Sequence, residues 1–506
     1  MKPSFVDRRK LVSTLIITVA VTASAHAATL LYSVEASAGN EALGSAIVSL
    51  GDLNGDGFGD FAVSDPKFDV TGSTTATDSG EVLVISGRDG SILYTLRGSV
   101  ATNQQFGTSL VAIHANGDSK LDIAVGAPGG NGAVYIYSGA TGGLIRKITD
   151  PTPSANSRFG ASLANAGDQN GDGKEDLFIG APGTNTQDGA VLVMSGSNGA
   201  LINEILPTAV DSQFGASIAT VSDLNSDGKA DLAVGSPGFS SNLGQVQIVE
   251  SDTGVQLDVL AGTIAGAQLG GTISAVGDRN SDGKIDLVVS SATGGSAFLV
   301  SGATLDTITD LTLAGGAAGF PVVAGGAIDV DEDGDTELLI GYPGALPFAR
   351  VDVIPAPTPP EPNVYEAAVA GSGLGAAIAV IPNRGFAIGE PLLNGGAVHV
   401  YLVGDDTDGD GVADAQDHCP DSDLTPTVII GDRNSGVENV VDSDGCSIAD
   451  LLADLEPDGG YRNHGQFVSK ATKLFKSLRK EGLITKHEQQ QLQKAAAQSN
   501  VGKKVK

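Results

Sequence analysis

Sulfur, imidazole and positive charge are all scarce in this chain. Its 506 residues include two cysteines and six histidines, and 29 lysines and arginines stand against 60 aspartates and glutamates, a formal charge of −31. A chain so poor in cations is not built for nucleic acid. The histidines after residue 27, His114, His399, His418, His464 and His487, are scattered over separate elements, and none sits in a nucleophile or zinc motif, which argues against an enzyme. Long apolar runs are missing too. Outside residues 11–23 no stretch approaches the ~18 apolar residues of a membrane span, so no transmembrane segment is expected.

Residues 1–27 carry Arg8-Arg9-Lys10, an apolar stretch and Ala25-His26-Ala27, the pattern of a cleavable secretory signal. The paired arginines are compatible with either general or twin-arginine export. Removing four basic residues and one acidic residue takes the net charge from −31 to −34 for the exported chain.

What the chain has in abundance is aspartate at alternate positions. Asp-x-Asn-x-Asp-Gly-x-x-Asp occurs four times: Asp52, Asn54, Asp56 and Asp60; Asp168, Asn170, Asp172 and Asp176; Asp223, Asn225, Asp227 and Asp231; Asp278, Asn280, Asp282 and Asp286. A fifth run, Asp329, Asp331, Asp333 and Asp335, closes on Glu337. In a calcium loop the side chains at positions one, three, five and nine supply oxygen. The backbone carbonyl at position seven, here Phe58, Lys174, Lys229, Lys284 or Asp335, completes the set. Hard oxygen donors without sulfur or imidazole suit Ca²⁺. An EF-hand needs an acid at position twelve, and Val63 and Ile179 stand there, so these are loops of another kind.

Each loop runs into a short apolar stretch ending in Gly-x-Pro or a near match, as in Gly180-Ala181-Pro182 and Gly235-Ser236-Pro237, and follows a stretch opened by Phe-Gly or Leu-Gly. Both stretches have strand character, so the loop joins two strands of a hairpin. The openings at Phe106, Phe159, Phe214 and Leu269 lie 53, 55 and 55 residues apart, and further units open at Leu43 and Leu374. A fixed period with a third and fourth strand per unit predicts an all-β propeller of four-stranded blades. Seven units are counted. The last lacks its fourth strand, and residues 30–34 have the pattern to supply it and close the ring. The Pro-rich stretch 355–362 is expected to be a long hairpin inside the sixth blade.

Together, the Phe-Gly opening, the calcium loop and Gly-Ala-Pro resemble the FG-GAP repeats of the integrin alpha-subunit propeller, over roughly residues 29–403. The resemblance implies Ca²⁺ in the loops and ligand binding on the opposite face. Two units depart from the pattern: in the second loop His114 replaces the first aspartate and Ser119 the position-six glycine, and Pro382-Asn383-Arg384 replaces the seventh loop, where no metal is expected. On the opposite face the loop 65–79, with Lys67, Phe68 and Asp69, and Arg158, Phe239 and Phe348 are candidate contacts. Each phenylalanine has the alternative of being wedged between blades.

Asp406, Asp408, Asp410, Asp414 and Asp417 follow, and resemble a thrombospondin type 3 calcium repeat; the alternative is a solvated acidic linker. Cys419 and Cys446 pair naturally in an exported chain, although sequence also admits two thiols. After residue 460 the charge inverts. Phe467, Ala471, Leu474, Phe475 and Leu478 recur at helical spacing, and Thr485 with Glu488 forms a capping box for a second helix. This basic hairpin either exposes its lysines to solvent or docks on an anionic surface.

The expected divisions are a signal peptide (1–27), propeller (28–403), thrombospondin type 3-like repeat (404–424), disulfide-linked connector (425–460) and basic helical hairpin with tail (461–506). The expected function is a secreted, calcium-binding adhesion or ligand-binding module at a bacterial cell surface or in its matrix, extracellular or periplasmic, with a protein or glycan ligand. The alternatives are a secreted hydrolase or enzyme-associated propeller, and a structural surface-layer component.

Overall fold

The computed structural model describes residues 28–36, 41–70, 75–154, 156–184, 188–210, 212–292, 296–311, 322–328, 336–344, 349–354, 363–366, 371–393, 395–404, 412, 417–419, 422–442, 444–456 and 461–503. After β1 (Thr29–Glu35) come six blades of four consecutive antiparallel strands. The first holds β2 (Ile47–Gly51), β3 (Asp60–Asp65), β4 (Glu81–Ile85) and β5 (Ile92–Leu96). The second holds β6 (Ser109–Ile113), β7 (Asp122–Ala127), β8 (Ala133–Tyr137) and β9 (Leu144–Thr149). The third holds β10 (Ser162–Gly167), β11 (Asp176–Gly180), β12 (Val191–Met194) and β13 (Leu201–Ile205). In the fourth are β14 (Ser217–Thr220), β15 (Leu232–Gly235), β16 (Gln245–Val249) and β17 (Gln256–Ala261). In the fifth are β18 (Ile273–Ala275), β19 (Leu287–Ser290), β20 (Ala297–Val300) and β21 (Thr307–Asp310), and in the sixth β22 (Val322–Ile328), β23 (Glu337–Tyr342), β24 (Arg350–Ile354) and β25 (Asn363–Glu366).

A further four-stranded sheet is composite. β26 (Ile378–Ile381), β27 (Gly385–Glu390) and β28 (Ala397–Leu402) take β1 as their outer strand, with Ser33 opposite His399 and Val34 opposite Val398. First strands touch in ring order from β2 to β26, and β26 returns to β2. The closing joint therefore combines the two ends of the propeller segment. The strands flanking 355–362 pair with each other, Arg350 opposite Glu366, while 355–362 itself lies outside the described residues.

Burial explains the strand sequences. Second and third strands such as β7, β8, β11 and β12 are buried along their whole length, because both faces lie against neighbouring blades, and apart from the aspartates that open β7 and β11 they read as apolar runs. Fourth strands such as β17 are largely exposed. The core is a series of layers between blades: Leu50 with Tyr135, Ile113 with Leu177, Phe178 with Phe214, Val221 with Leu287, Val276 with Leu338, Leu339 with Phe386, and Ile381 with Phe61. Phe106, Phe159 and Phe214 are sealed to 0–1 % exposure, each contributing about 2–3 kcal/mol by burial. Gly189 and Gly244, at φ +90° and +79°, stand where a Cβ would strike the backbone of Phe214 and Leu269 in the next blade.

Beyond the propeller, β29 (Thr427–Ile430), β30 (Arg433–Glu438), α1 (Ile448–Ala453), α2 (His464–Lys480) and α3 (Lys486–Gln498) share one core, in which Val428, Ile448, Phe475 and Leu492 meet. The core runs across residue 460, so the connector and the helical hairpin pack as one unit. Phe467, Ala471, Phe475 and Leu478 face inward, Leu474 is partly buried, and the Thr485–Glu488 capping box is formed. Cys419 and Cys446 are disulfide-bonded. No helix of the described residues is long and apolar enough to cross a membrane.

Candidate metal-binding loops

Each aspartate-rich loop connects the first and second strands of its blade and splits into a buried base and an exposed rim. The base is position nine. Asp60, Asp176, Asp231 and Asp286 are fully buried at the head of the second strand. Asp176 Oδ2 accepts from the backbone of Gln169 (2.8 Å) and Asn170 (3.2 Å), and Oδ1 accepts from Gly196 N (3.1 Å) in the turn between third and fourth strands. Asp60 takes the corresponding donors Leu53, Asn54 and Gly87, and Asp286 takes Arg279, Asn280 and Gly302. One carboxylate thus ties both turns of a blade together.

The rim is positions one, three and five. Asp168 Oδ1 accepts from Gly171 N and Asp172 N, Asp168 Oδ2 accepts from Gly173 N, Asn170 Oδ1 accepts from Asp172 N, and Asp172 Oδ1 accepts from Lys174 N. Asp52, Asn54 and Asp56 do the same up to Phe58 N, as do Asp223, Asn225 and Asp227 up to Lys229 N. In the fifth blade Asp278, Asn280 and Asp282 repeat this pattern, with Lys284 N donating to Asp282. Position six is glycine in the left-handed region in all four, φ +91°, +79°, +88° and +81° at Gly57, Gly173, Gly228 and Gly283.

Electrostatics divide along the same line. Burial pushes Asp60 up to about 6 and raises Asp176, Asp231 and Asp286, and a like charge at position five adds to each rise. On the rim, Asp172 is lowered chiefly by the Ser197 hydroxyl, Asp223 by Gly228 N and Asp282 by the Asn280 amide. An all-oxygen set with two mutually repelling carboxylates, one fully buried, fits a hard divalent cation, which would relieve both costs. Among the described residues, no three acidic, histidine or cysteine side chains already converge as a cage, because the rim oxygens face the loop's own amides.

Two units lack the full set. In the second blade Asn116, Asp118 and Asp122 keep their amide bonds, and Asp122 accepts from Ala115, Asn116 and Gly139. At position one His114 N donates to Glu175 of the next blade, and the His114 ring lies 3.4 Å from the same carboxylate. In the composite sheet Gly59 N donates to Pro382 O, Asn383 Nδ2 donates to Gly57 O, and the Arg384 guanidinium lies 4.8 Å over the Phe58 ring. That turn buttresses the first loop.

Asp329, Asp331, Asp333 and Asp335 lie outside the described residues, as do Asp406, Asp408, Asp410, Asp414 and Phe348. Glu337 is buried at the head of β23, and Asp417 Oδ1 accepts from Cys419 N. On the opposite face Lys67, Asp69 and Arg158 are exposed and Phe239 half-buried. Phe68 departs from the candidate contact role: it is buried under the Arg97 guanidinium, 5.0 Å from the ring centroid, and is wedged rather than presented.

Sequence reasoning missed two structural devices. Ser109, Ser162 and Ser217 each donate Oγ–H to the glycine carbonyl of the next blade's opening pair, Gly160, Gly215 and Gly270, and the signal was a serine three residues after each phenylalanine. Ser33 Oγ lies 2.8 Å from His399 Nδ1, and His399 Nε2 lies 2.8 Å from Glu390 Oε2. This chain has the makeup of a nucleophilic triad, but all three residues are at most 5 % exposed, and it serves as a latch holding β1 on β28.

These hairpins have known counterparts. Three of its blades are similar to FG-GAP repeats. Residues 106–137, 159–194 and 214–249 match the FG-GAP repeat model. The chain is 36 % identical over 155 residues to integrin alpha-PS5 of Drosophila melanogaster, covering 27 % of this chain and 15 % of that one. It is 31 % identical over 225 residues to integrin alpha-5 of Xenopus laevis, covering 39 % and 20 %. It therefore spans about a fifth or less of the length of these curated relatives. The crystal structure of BBS1N in complex with ARL6DN, soaked with lead, superposes with a TM-score of 0.48 at 12 % identity over 75 % of this chain and 97 % of that one, too loosely to bear on function. An integrin-like β-propeller is the level at which sequence, fold and relatives agree.

Proposed function

We propose that this chain is an exported, calcium-stabilised adhesion or ligand-binding propeller and not an enzyme, with calcium on the face of the aspartate loops and a protein ligand on the other. The observation that carries the reading is the fully buried position-nine carboxylate, repeated in four complete loops with a like charge beside it. In each loop the residues at positions one, three, five and nine and the carbonyl at seven would hold the ion. A bound Ca²⁺ supplies the positive charge that keeps the buried acid ionised and draws the hairpin tight. The acidic run ending at Asp417 is proposed as a second calcium segment, closed by the Cys419–Cys446 bond. Non-enzymatic binding is in keeping with the integrin alpha relatives, and the sealed state of the Ser33–His399–Glu390 chain gives a hydrolase reading no support.

The test is calcium stoichiometry by calorimetry on the exported chain, with adhesion to protein-coated and glycan-coated surfaces in Ca²⁺ and in EGTA. Four or more ions and calcium-dependent adhesion are expected. Absence of bound calcium would overturn the metal reading, and absence of adhesion to any surface would overturn the ligand reading.

A further inference from the structure

The second and fifth blades differ at one place on the face away from the aspartate loops. In the second blade, the slot between the third strand and the incoming connection is closed by the chain itself. The Phe106 ring meets Tyr135 edge to face at 5.5 Å, and Lys147, opposite Tyr135 in the strand register, holds its ammonium 5.1 Å from the same ring. An aromatic side chain and a cation together fill the slot.

In the fifth blade both are missing. The repeat puts Leu269 in place of Phe106, Phe298 in place of Tyr135, and Asp310, opposite Phe298, in place of Lys147. What remains is an open cavity of about 220 Å³, lined by Leu260, Ala267, Leu269 and Phe298 with a hydroxyl rim that includes Ser291 and Thr307. Beside it Ile264 is 62 % exposed. Leu43 and Leu374 are as short as Leu269 and are exposed to 2 %, against 6 % for Leu269. The charge near the cavity is acidic, with Asp258 two residues before Leu260 on β17, Asp306 next to Thr307, and Asp310.

We propose that this cavity is a docking slot for a protein ligand, and that it takes an aromatic side chain flanked by lysine or arginine. The partner supplies there the ring and the cation that the second blade supplies from its own sequence. Shape sets the first requirement, because three other blades fill the equivalent place with phenylalanine at 0–1 % exposure. Charge sets the second, because a cation over the Phe298 face gains from the ring and from the aspartates around it. The proposal rests on the ligand-binding reading above and adds the position and chemistry of one contact.

The probe is the capped pentapeptide Gly-Lys-Phe-Lys-Gly, fluorescently labelled, with Gly-Lys-Ala-Lys-Gly as control, against the whole exported chain in Ca²⁺. Binding at least tenfold tighter for the phenylalanine peptide is expected, weakening with salt. Leu269→Phe should fill the slot, leave the melting temperature equal or higher, and weaken the phenylalanine peptide at least tenfold. Asp310→Lys, a surface change that recreates the second blade's cation, gives an independent reading should Leu269→Phe fold poorly, with the same loss expected. Equal binding of both peptides, no binding at all, or binding indifferent to both substitutions would overturn the slot. Adhesion of the whole protein that persists in such a case leaves the ligand-binding reading standing, whereas peptide binding unchanged by EGTA together with no bound calcium sinks only the metal.

Discussion

The loops of the second and third blades share positions three, five and nine and differ at position one and at position six, where Ser119 stands for Gly173. Both clamp a position-nine aspartate, Asp122 or Asp176, between three backbone amides, and both hold positions three and five through the same side-chain bonds to the backbone. At position one the third blade has Asp168, gathering three loop amides, and the second has His114, turned to Glu175 of its neighbour. The clamp on position nine is the same across both exchanges. Position nine therefore shapes the hairpin in both blades, and on the proposed calcium reading position one is where their metal binding would part.

Calcium removal should have the largest effect and should separate the two blades. At free Ca²⁺ about 100-fold above its dissociation constant each independent site adds ~2.7 kcal/mol, so four complete loops sum to about 11 kcal/mol, lost on adding EGTA. Asp168→Ala should remove one bound ion and about one quarter of that difference, and His114→Ala neither, by calorimetric titration and by unfolding in both conditions. Loss of an ion from the His114 variant would erase the distinction between the blades.

The base carboxylates should be costly whether or not metal is present. Asp176→Ala and Asp122→Ala each strand three amides that the buried carboxylate served, on the order of 4–5 kcal/mol by denaturant unfolding in EGTA. Equal losses in the two blades would sharpen the division of labour. A silent Asp122→Ala would break it.

A third test uses a buried acid outside the loops. Asp65, at the end of β3, accepts from Ala42 N (2.8 Å), and burial pushes it up to about 7 from a usual 3.8. The folded state then holds the proton that the unfolded chain gives up near pH 4. Its contribution is fully present below about pH 4 and is lost as pH rises through about 7, at most about 4 kcal/mol. Asp65→Asn should flatten the fall in stability between pH 4 and 7 in EGTA, by thermal unfolding across pH. An unchanged slope would mean that burial does not control this acid.

The contrast between blades also marks how far the sequence was legible. Period, strand order and loop position follow from Phe-Gly and Asp-x-Asn-x-Asp because these are local patterns, repeated, and each repeat reinforces the rest. The position-one departure at His114 was legible for the same reason. The serine pins, the glycines against the next blade's backbone, and the Arg88 guanidinium donating to the Val441 carbonyl between propeller and C-terminal unit all join residues about 25 to 350 positions apart. Such contacts depend on how blades face one another, which no single repeat encodes. Leu269 was visible as a departure from phenylalanine, but only the register that puts Asp310 opposite Phe298 turns it into a slot.

The smallest effect is expected where the comparison runs out. The composite sheet has no loop acid to clamp its first hairpin; Arg384 stands there instead and donates to the carbonyls of Gly87 and Arg88 in the first blade. Its hold on the outer strand passes to Ser33, His399 and Glu390, and to Tyr32, whose hydroxyl donates to Ser86 O and Gly87 O. Ser33→Ala removes one buried hydrogen bond and leaves His399 Nδ1 without it, about 1–2 kcal/mol in EGTA. Hydrogen exchange should report faster opening of residues 29–35, with residues 162–180 of the third blade unchanged, because β1 is joined to its sheet through β28 alone. Uniform acceleration across both blades would instead mean that the ring opens as one unit, and that the latch protects the whole propeller rather than its closing strand.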